Sequence, residues 1–364
     1  MPSQSSTRFP FEPYPISWYA LIRSDSLAPG QMTHGQWCGQ EIVIYRTETG
    51  QVKIIEAHCP HLGAHIGYGG DVDGEDVVCP FHHFRYDKDG QCIDTPYDKS
   101  IPKNLCLKFY PAMESNGLIW MWWHPESQPP TFSLPDAPQD GWSALRTTTW
   151  KLRSHPQETN ENVADLGHLS VVHGYQNIEV IKPFTSDGAT SFASYKATRP
   201  TTVAGVSLGN VPFRFNAIAA GLGCGYVEAI VSNFGIRSRH FVFCTPIDGE
   251  LVQLTIGNQL KMPDDLGDIH PILKLIPRSW LTAIAAPITM RQYEQDVRQD
   301  WDIWERKIYV HPPRLADGDG PIGAYRQWCT QFYIDEPQGK HRKEARVQFK
   351  DSTPSDNMVG PISK

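Results

Sequence analysis

The sequence lacks an excess of basic residues, a long apolar run and a regular cysteine framework. Its 33 lysines and arginines are outnumbered by 40 aspartates and glutamates, so the net charge is −7, which disfavours nucleic acid as a partner. No uncharged stretch approaches the ~20 apolar residues of a membrane span, and the N-terminus has no apolar core typical of a signal peptide. We therefore expect a cytoplasmic protein without a membrane span.

Eight cysteines are scattered along the 364 residues without a short repeated spacing. In a reducing compartment this usage favours free thiols or metal ligands over disulfides. A single hydrophobic core rarely serves a chain longer than about 250–300 residues. Because 40% of the residues are apolar, the sequence predicts two domains with substantial cores.

The first predicted domain covers residues 18–125 and is mostly β. Two strand–turn–strand patterns, at 41–58 and 84–93, are typical of hairpins. The segment 118–123 is apolar on both faces, as expected of a strand that is covered on both sides. This domain carries thirteen acidic and eight basic side chains, so we expect its surface to suit a partner with a basic patch.

The second predicted domain covers residues 126–335, and it begins with a stretch rich in proline, serine and glutamine. Strand-like stretches alternate with two helical patterns, at about 156–173 and 291–308, and indicate an α+β domain with an antiparallel sheet. Residues 1–17 are expected to pack on this domain. The polar residues 336–364 predict a loosely ordered tail.

Two Cys/His pairs form the first candidate site. The first pair is Cys59 and His61. The second pair is Cys79 and His82, and seventeen residues, 62–78, separate the two pairs. Two thiolates on one iron and two imidazoles on the other hold a 2Fe–2S cluster of the Rieske type. A structural zinc ion is the alternative, since the same four ligands suit tetrahedral zinc. Zinc fingers usually pair cysteine with cysteine and histidine with histidine, however, so one of each in each loop favours the cluster.

The segments CPHLGAH and CPFHHFRYD resemble the Rieske box of Rieske oxygenases. Respiratory Rieske proteins have an additional cysteine in each loop, at the positions of Ala64 and Phe81 here, so the resemblance points to the oxygenase type. One departure is His83, because this family more often has a small or different residue there. Either His83 perturbs cluster solvation or partner docking, or it is a surface histidine without function.

The second candidate site lies in the first helical pattern. Asn162, Asp165 and His168 follow one another at steps of three, so we expect them on one side of a helix. His173 lies about 140° further round an ideal helix than His168, so both bind one ion only if the helix bulges or ends between them. Gly174 is the expected helix stop.

A mononuclear iron oxygenase needs two histidines and one carboxylate on one face of the metal. In the second helical pattern Asp300 falls within the apolar face, where a carboxylate is costly unless it is paired or bound to metal. We predict Asp300 as the third ligand, with Asp296 as the next candidate. A buried aspartate paired with an arginine is the alternative. The apolar face itself consists of Tyr293, Val297, Trp301 and Trp304.

The arrangement N-x-x-D-x-x-H-x4-H, followed far downstream by D-x-x-I-W, resembles the catalytic iron motif of the same oxygenases. The resemblance implies a helix-grip catalytic domain and a head-to-tail homotrimer. It also implies that Asp165 connects the cluster of one chain with His168 of the next. The cluster ligand in this connection is His61 or His82. Asn162 is expected to be a polar group near the iron, with a purely structural role as the alternative.

The segments GPIGAYRQWCTQFY and QDWDIWERK resemble the group that contains 3-ketosteroid 9α-hydroxylase oxygenase components and cholesterol 7-desaturases. This resemblance implies an oxygenase component that uses dioxygen and Fe(II) to hydroxylate or desaturate a hydrophobic, steroid-like substrate. The letters at 318–323 match a dinucleotide fingerprint, but no βαβ pattern surrounds them. Because no flavin or nicotinamide site is visible, electrons are expected from NAD(P)H through a reductase or ferredoxin.

Two alternatives to a steroid oxygenase remain open. An aromatic ring hydroxylase or O-demethylase of the same family would use the same metals. An electron carrier with a Rieske cluster, or a binding protein stabilised by zinc, would not catalyse a reaction. Metal content separates the non-catalytic alternatives from an oxygenase, and product analysis separates the enzymes.

Overall fold

The computed structural model describes residues 8–97, 100–203 and 206–334, which form an N-terminal and a C-terminal unit. The tail expected at 336–364 lies outside the described residues. Within these ranges, every helix is too short or too polar to cross a bilayer.

The N-terminal unit is built from short antiparallel strands joined by tight turns. In the described ranges its strands form sheets of order β1–β11–β10, β2–β3–β4–β9 and β5–β6–β7–β8. The strands are β1 (Ser17–Arg23), β2 (Met32–Trp37), β3 (Gln40–Arg46), β4 (Val52–Glu56), β5 (Asp71–Asp73), β6 (Asp76–Val78), β7 (Arg85–Tyr86), β8 (Cys92–Asp94), β9 (Phe109–Tyr110), β10 (Ala112–Ser115) and β11 (Leu118–Trp123). The prediction of an all-β unit is thus confirmed.

Strand β11 is buried along its whole length, as its apolar sequence predicts. Successive side chains of a strand point to opposite faces of the sheet. Ile119 and Met121 therefore pack into the core of the N-terminal unit. Trp120 and Trp122 point the other way and pack against the C-terminal unit, together with Phe243. The sheet that contains β11 is the layer shared by the two units.

The C-terminal unit is a large antiparallel sheet crossed by one long helix. Among the described residues the sheet has the order β12–β18–β17–β16–β15–β14–β13. The elements, in chain order, are β12 (Arg146–Arg153), α1 (Pro156–Asn160), α2 (Leu166–Val171), β13 (Gln176–Asp187), β14 (Thr190–Val203), β15 (Val206–Ala220), β16 (Cys224–Val231), β17 (Ile236–Pro246), β18 (Leu251–Lys261), α3 (Arg278–Arg306) and α4 (Ile322–Cys329). The α+β prediction with a helix-grip domain is confirmed.

The long helix α3 covers one face of the sheet. Its buried side chains recur at helical spacing and include Met290, Val297 and Trp304, which pack on Leu254 and Ile256 of β18. The sequence pattern placed the start of this helix near residue 291, and that boundary is wrong because α3 begins at Arg278. The pattern failed because the first three turns carry apolar side chains on the outward face as well, for example the exposed Trp280, Ile284 and Ile288.

A charge network fastens the end of α3 to α1 and to the turn that follows it. Lys307 Nζ lies 2.8 Å from Glu158 Oε2 and 3.4 Å from Glu161 Oε1. Arg326 of α4 donates to both oxygens of Glu161, at 2.6 and 3.0 Å. Burial of a carboxylate is tolerated when it is paired in this way. The network therefore fixes the position of α3 relative to the chain that follows Glu161.

The N-terminal segment from residue 8 packs on the C-terminal unit around a buried histidine. The rings of Phe9 and Phe11 contact the ring of His155. Nδ1 of His155 accepts the backbone N–H of Gln157 at 3.1 Å and so caps α1, while Nε2 donates to the Glu12 carbonyl at 3.0 Å. Burial lowers the pKa of His155 to about 3. The imidazole is therefore neutral in the folded protein.

We expect the buried His155 to make the protein less stable in mild acid. Below pH ~6.5 the unfolded chain binds a proton at this position that the folded chain does not bind, so stability falls as pH falls toward 3. In His155→Asn the cap is kept and the titration is removed. We measure the free energy of unfolding with denaturant from pH 7 to 5. It should fall less steeply with falling pH in the variant, and below pH 6 the two slopes should differ by about 1.4 kcal/mol per pH unit. Parallel curves would contradict this assignment.

Candidate metal centres

The loop that carries Cys59 and His61 is a tight turn closed by two backbone hydrogen bonds. Cys59 N–H donates to the Ala64 carbonyl at 2.8 Å, and Gly63 N–H donates to the Cys59 carbonyl at 2.9 Å. Gly63 has a φ of 78°, a left-handed conformation that glycine adopts at little cost. The turn brings the His61 backbone N–H within hydrogen-bonding reach of the Cys59 thiol.

The second loop repeats this hydrogen-bond pattern. Cys79 N–H donates to the Phe84 carbonyl at 2.9 Å, and His83 N–H donates to the Cys79 carbonyl at 3.0 Å. His83 thus occupies the position that Gly63 occupies in the first loop, and its φ is 56°. For a residue with a Cβ this conformation costs roughly 1–2 kcal/mol. The departure noted in the sequence falls at a position whose backbone suits a small residue.

We expect the second loop to tolerate glycine at position 83 and to reject a β-branched residue. His83→Val should lower the cluster content per chain several-fold, because a β-branched side chain in this conformation clashes with the backbone. His83→Gly should keep the full content, although it removes the same imidazole. Visible absorption per chain, measured after identical reconstitution, checks both variants. Equal loss of the cluster in both would show that the imidazole matters and the backbone does not.

The structure brings together the side chains of the first candidate site. Cys59 Sγ lies within hydrogen-bonding reach of the Cys79 thiol and 3.0 Å from the Tyr86 hydroxyl, and these contacts lower the pKa of Cys59. The rings of His61 and His82 are 4.9 Å apart. Among the described residues, the buried His82 Nδ1 has no hydrogen-bond partner. Two adjacent sulfurs and a buried imidazole nitrogen without a hydrogen-bond partner among the described residues fit a Rieske cluster.

The second candidate site is a compact group of two histidines and one carboxylate. His168 Nε2 and His173 Nε2 are 2.8 Å apart, and Asp300 oxygens lie 3.6 Å from the first and 3.4 Å from the second. Neighbouring ligands about 2.1 Å from an ion and about 90° apart are separated by about 3 Å. The three donor atoms therefore fit one side of a single ion. Among the described residues, His168, His173 and Asp300 are the His, Cys, Asp or Glu side chains that bring at least three potential ligand atoms within 4.8 Å of one another.

The chain places the two histidines by breaking the helix that the sequence pattern predicts. Instead of one helix over 156–173, α1 ends in a 3₁₀ turn, Asp165 is extended with ψ of 97°, and α2 starts at Leu166. The expectation that Asn162, Asp165 and His168 share one side of a helix is therefore wrong. The reason is that Asp165 Oδ1 accepts the His168 backbone N–H at 3.0 Å and begins a new helix.

The predicted interruption between the two histidines is found as a helix end. Helix α2 ends at Val171, so His173 lies outside the helix and its ring is free to turn toward His168. Gly174 has a φ of 70° and stops the helix as expected.

Both histidines direct Nε2 toward the carboxylate because Nδ1 is occupied elsewhere. His168 Nδ1 donates to the Asp165 carbonyl at 3.1 Å, and His173 Nδ1 donates to Gln299 Oε1 at 2.9 Å. Burial lowers the pKa of His168. Burial also acts to lower the pKa of His173, but the hydrogen bonds to Asp300 and Gln299 and the charges of Asp300 and Asp296 together outweigh it, so the pKa is raised. Imidazoles whose Nδ1 proton is held in this way bind metal through Nε2.

The next candidate for the carboxylate, Asp296, is engaged by an arginine. Arg199 donates to both oxygens of Asp296, each at 2.9 Å. The aspartate paired with an arginine is therefore the half-buried Asp296, whereas the buried Asp300 faces the two histidines.

The two remaining predicted site residues lie close to the histidines along the chain. Asp165 supplies the cap of α2 with one carboxylate oxygen, and its carbonyl holds the ring of His168. Asn162 lies half-buried in the 3₁₀ turn before it, and no hydrogen bond of its side chain is found among the described residues.

Three contributors to these sites lie within the quoted sequence segments but are not among the predicted site residues. Tyr86 bonds to a cluster-loop sulfur, and Gln299 bonds to His173. Gly320 packs so closely on the start of α2 that a Cβ would lie 2.4 Å from the Ala164 carbonyl oxygen. The segment that matched a dinucleotide fingerprint is thus a packing loop. Of the three residues, Gly320 alone gave a signal in the sequence, because a glycine often marks close packing. The contacts of Tyr86 and Gln299 join distant parts of the chain and leave no local pattern.

Comparison with known proteins matches both units. The 3-Ketosteroid 9alpha-hydroxylase C-terminal domain family matches residues 121–333, and the Rieske [2Fe-2S] domain family matches residues 17–111. A cholesterol 7-desaturase of Xenopus laevis is 28% identical over 357 residues, which cover 91% of this chain and 74% of the relative. The oxygenase component of a 3-ketosteroid-9-alpha-monooxygenase from Rhodococcus rhodochrous is 25% identical over 350 residues, covering 93% and 88%.

Solved structures show the same fold at lower identity. Dicamba monooxygenase bound to dicamba has a TM-score of 0.61 at 17% identity, with 90% of this chain and 98% of that chain covered. NdmB of Pseudomonas putida CBB5 has a TM-score of 0.63 at 14% identity, with 90% and 91% covered.

Proposed function

The chain belongs to the Rieske oxygenases whose catalytic domain is of the 3-ketosteroid 9α-hydroxylase type, and from this premise we propose that it hydroxylates or desaturates a sterol or ketosteroid. The observation that carries the proposal is the convergence of His168, His173 and Asp300 in a domain of this family. When bound, the cluster supplies electrons one at a time and the mononuclear iron activates dioxygen at the open side of the three ligands.

We assign the metal ligands by the geometry of their donor atoms. Cys59, His61, Cys79 and His82 hold the cluster, and the Tyr86 hydroxyl tunes it through its hydrogen bond to sulfur. His168, His173 and Asp300 hold the mononuclear iron. Asn162 is a polar neighbour of this iron site.

An apolar wall beside the iron ligands supports a hydrophobic substrate. Side chains of β14, β15 and β16 form a cluster that includes Tyr195, Phe215 and Ala229, and Leu166 of α2 packs against it. Phe213 and Val227 on the same face are only partly buried. An apolar surface of this kind suits a fused hydrocarbon skeleton, and the relatives named above act on cholesterol and on ketosteroids.

Exposed apolar side chains support a head-to-tail homotrimer. Leu62 and Phe81, at the tips of the two cluster loops, are 67% and 60% exposed, and Val171, next to the iron ligands, is 85% exposed. Patches of this kind mark protein contacts. In the trimer the cluster loops of one subunit meet α2 of the next, where Asp165 links His61 or His82 to His168 of that neighbouring subunit.

As an oxygenase component the chain needs a reductase or ferredoxin as its electron donor, and we propose that this partner uses NAD(P)H. The acidic surface of the N-terminal unit suits a basic patch on such a partner and would direct electron transfer to the cluster. The cluster site needs reduced cysteine thiols and the mononuclear site needs Fe(II), which fits a cytoplasmic location.

The proposal is tested by product analysis with a surrogate reductase. Cholesterol and ketosteroids are supplied beside aromatic acids and methylated purines, and each product is identified by mass. We expect a steroid to gain one oxygen or to lose two hydrogens. Turnover of the aromatic or methylated compounds without turnover of any steroid would establish the ring hydroxylase or demethylase alternative instead.

A further inference from the structure

We infer that Gln299 is a positioning residue that holds His173 in the orientation and tautomer needed to bind iron. The inference rests on the proposed iron site and adds a residue to it. Gln299 Oε1 lies 2.9 Å from His173 Nδ1, and Asp300, the residue that follows Gln299 in α3, faces His173 Nε2. One turn of α3 therefore contacts both nitrogens of the same imidazole.

The two histidines are held by groups of different kinds. His168 lies inside α2, and the acceptor for its Nδ1 is the backbone carbonyl of Asp165. His173 lies beyond the end of α2 and is followed by Gly174, whose φ is 70°. Because no helix holds the backbone at His173, its ring depends more on a side-chain partner. Among the described residues, Gln299 is the partner found for its Nδ1.

The chemistry of the contact selects one tautomer. Nε2 binds a metal through its lone pair, so the proton of the neutral imidazole must be on Nδ1. An acceptor at Nδ1 stabilises that form and fixes the plane of the ring. The Gln299 oxygen supplies the acceptor and reaches it from the same helix that carries the carboxylate.

The electrostatic surroundings explain why a neutral acceptor suffices. Helix α3 already places two carboxylates beside His173, namely Asp300, which faces the ring, and Asp296, which is neutralised by Arg199. An amide orients the imidazole without a third negative charge on this turn. Gln299 is otherwise exposed to solvent, so its replacement removes no core packing.

The test compares three variants of the full-length protein. Gln299→Leu removes the acceptor, Gln299→Glu keeps an acceptor, and Gln295→Leu makes the same change one turn earlier on α3, at another exposed position. Each iron-loaded variant is mixed with a ferrous chelator, and the rate of loss of mononuclear iron is measured while visible absorption reports the cluster.

We expect Gln299→Leu to lose mononuclear iron about 10–100-fold faster than the unchanged protein, the usual effect of removing a partner of a metal-binding histidine. Gln299→Glu and Gln295→Leu should lose iron at the unchanged rate, and the cluster should persist in all three. Unchanged iron loss in Gln299→Leu would overturn the inference, and so would fast loss in both Gln299 variants. If the unchanged protein holds no mononuclear iron, the proposed function itself fails, and that outcome is distinct.

Discussion

Asp300→Ala is expected to abolish turnover and to empty the mononuclear iron site while the Rieske cluster remains. The Asp300 side chain is 8% exposed, and its carboxylate faces both His168 and His173. Two neutral imidazoles without a carboxylate bind Fe(II) weakly. The loss in iron affinity should exceed the ~10–100-fold effect of removing a residue that merely supports a ligand.

Iron analysis of the variant, normalised to cluster absorption, measures the effect. Asp302→Ala is the matched control, because Asp302 lies on the exposed side of the same helix and pairs with Arg306 at 2.8 Å. The control should retain iron and turnover. Full iron occupancy in Asp300→Ala would remove Asp300 from the site.

Asp165→Asn is expected to slow the transfer of electrons between subunits while both metal centres stay loaded. In the proposed trimer one Asp165 carboxylate oxygen caps α2, the Asp165 backbone carbonyl holds the His168 ring, and the second carboxylate oxygen accepts an imidazole N–H from the cluster of the other subunit. Asparagine offers one acceptor oxygen and a donor amide, so with its oxygen in the cap of α2 it has no acceptor left for the imidazole N–H of the other subunit. Reoxidation of the reduced cluster by dioxygen and substrate, followed by stopped-flow absorption, should slow by about 100-fold.

The variant at position 165 also separates the two roles of this residue. Asparagine caps a helix about as well as aspartate, so α2 should remain intact in Asp165→Asn. In Asp165→Ala the cap is lost as well, at a cost of about 1 kcal/mol in the free energy of unfolding. If Asp165→Asn reoxidises at the unchanged rate and only Asp165→Ala is impaired, Asp165 is a helix cap and not an electron link.

The sequence motifs predict the metal-binding chemistry of the sites well, but they predict the local backbone geometry of the sites less well. The order of cysteine and histidine in two short loops indicates the cluster, because ligand order in a loop depends on local chain geometry alone. Asp300 could be predicted because a carboxylate on an apolar helix face needs a partner, and the structure supplies the two histidines. Both inferences rest on properties of neighbouring residues.

The errors arose where a side chain competes with the periodic pattern. The period of the residues between 156 and 173 fits one helix, but Asp165 satisfies the backbone of a new helix and interrupts it. The early start of α3 was hidden by Trp280 and Ile284, whose exposure contradicts a simple division into inner and outer faces. Contacts such as that of Gln299 with His173 join residues 126 apart in sequence and leave no local pattern.

The central claim is that one chain holds two different iron centres. Its most direct test is the measurement of iron and acid-labile sulfide in protein purified and reconstituted without oxygen. A Rieske cluster together with a mononuclear site predicts about three irons and about two sulfides per chain. Absence of labile sulfide, or its replacement by stoichiometric zinc, would contradict the account.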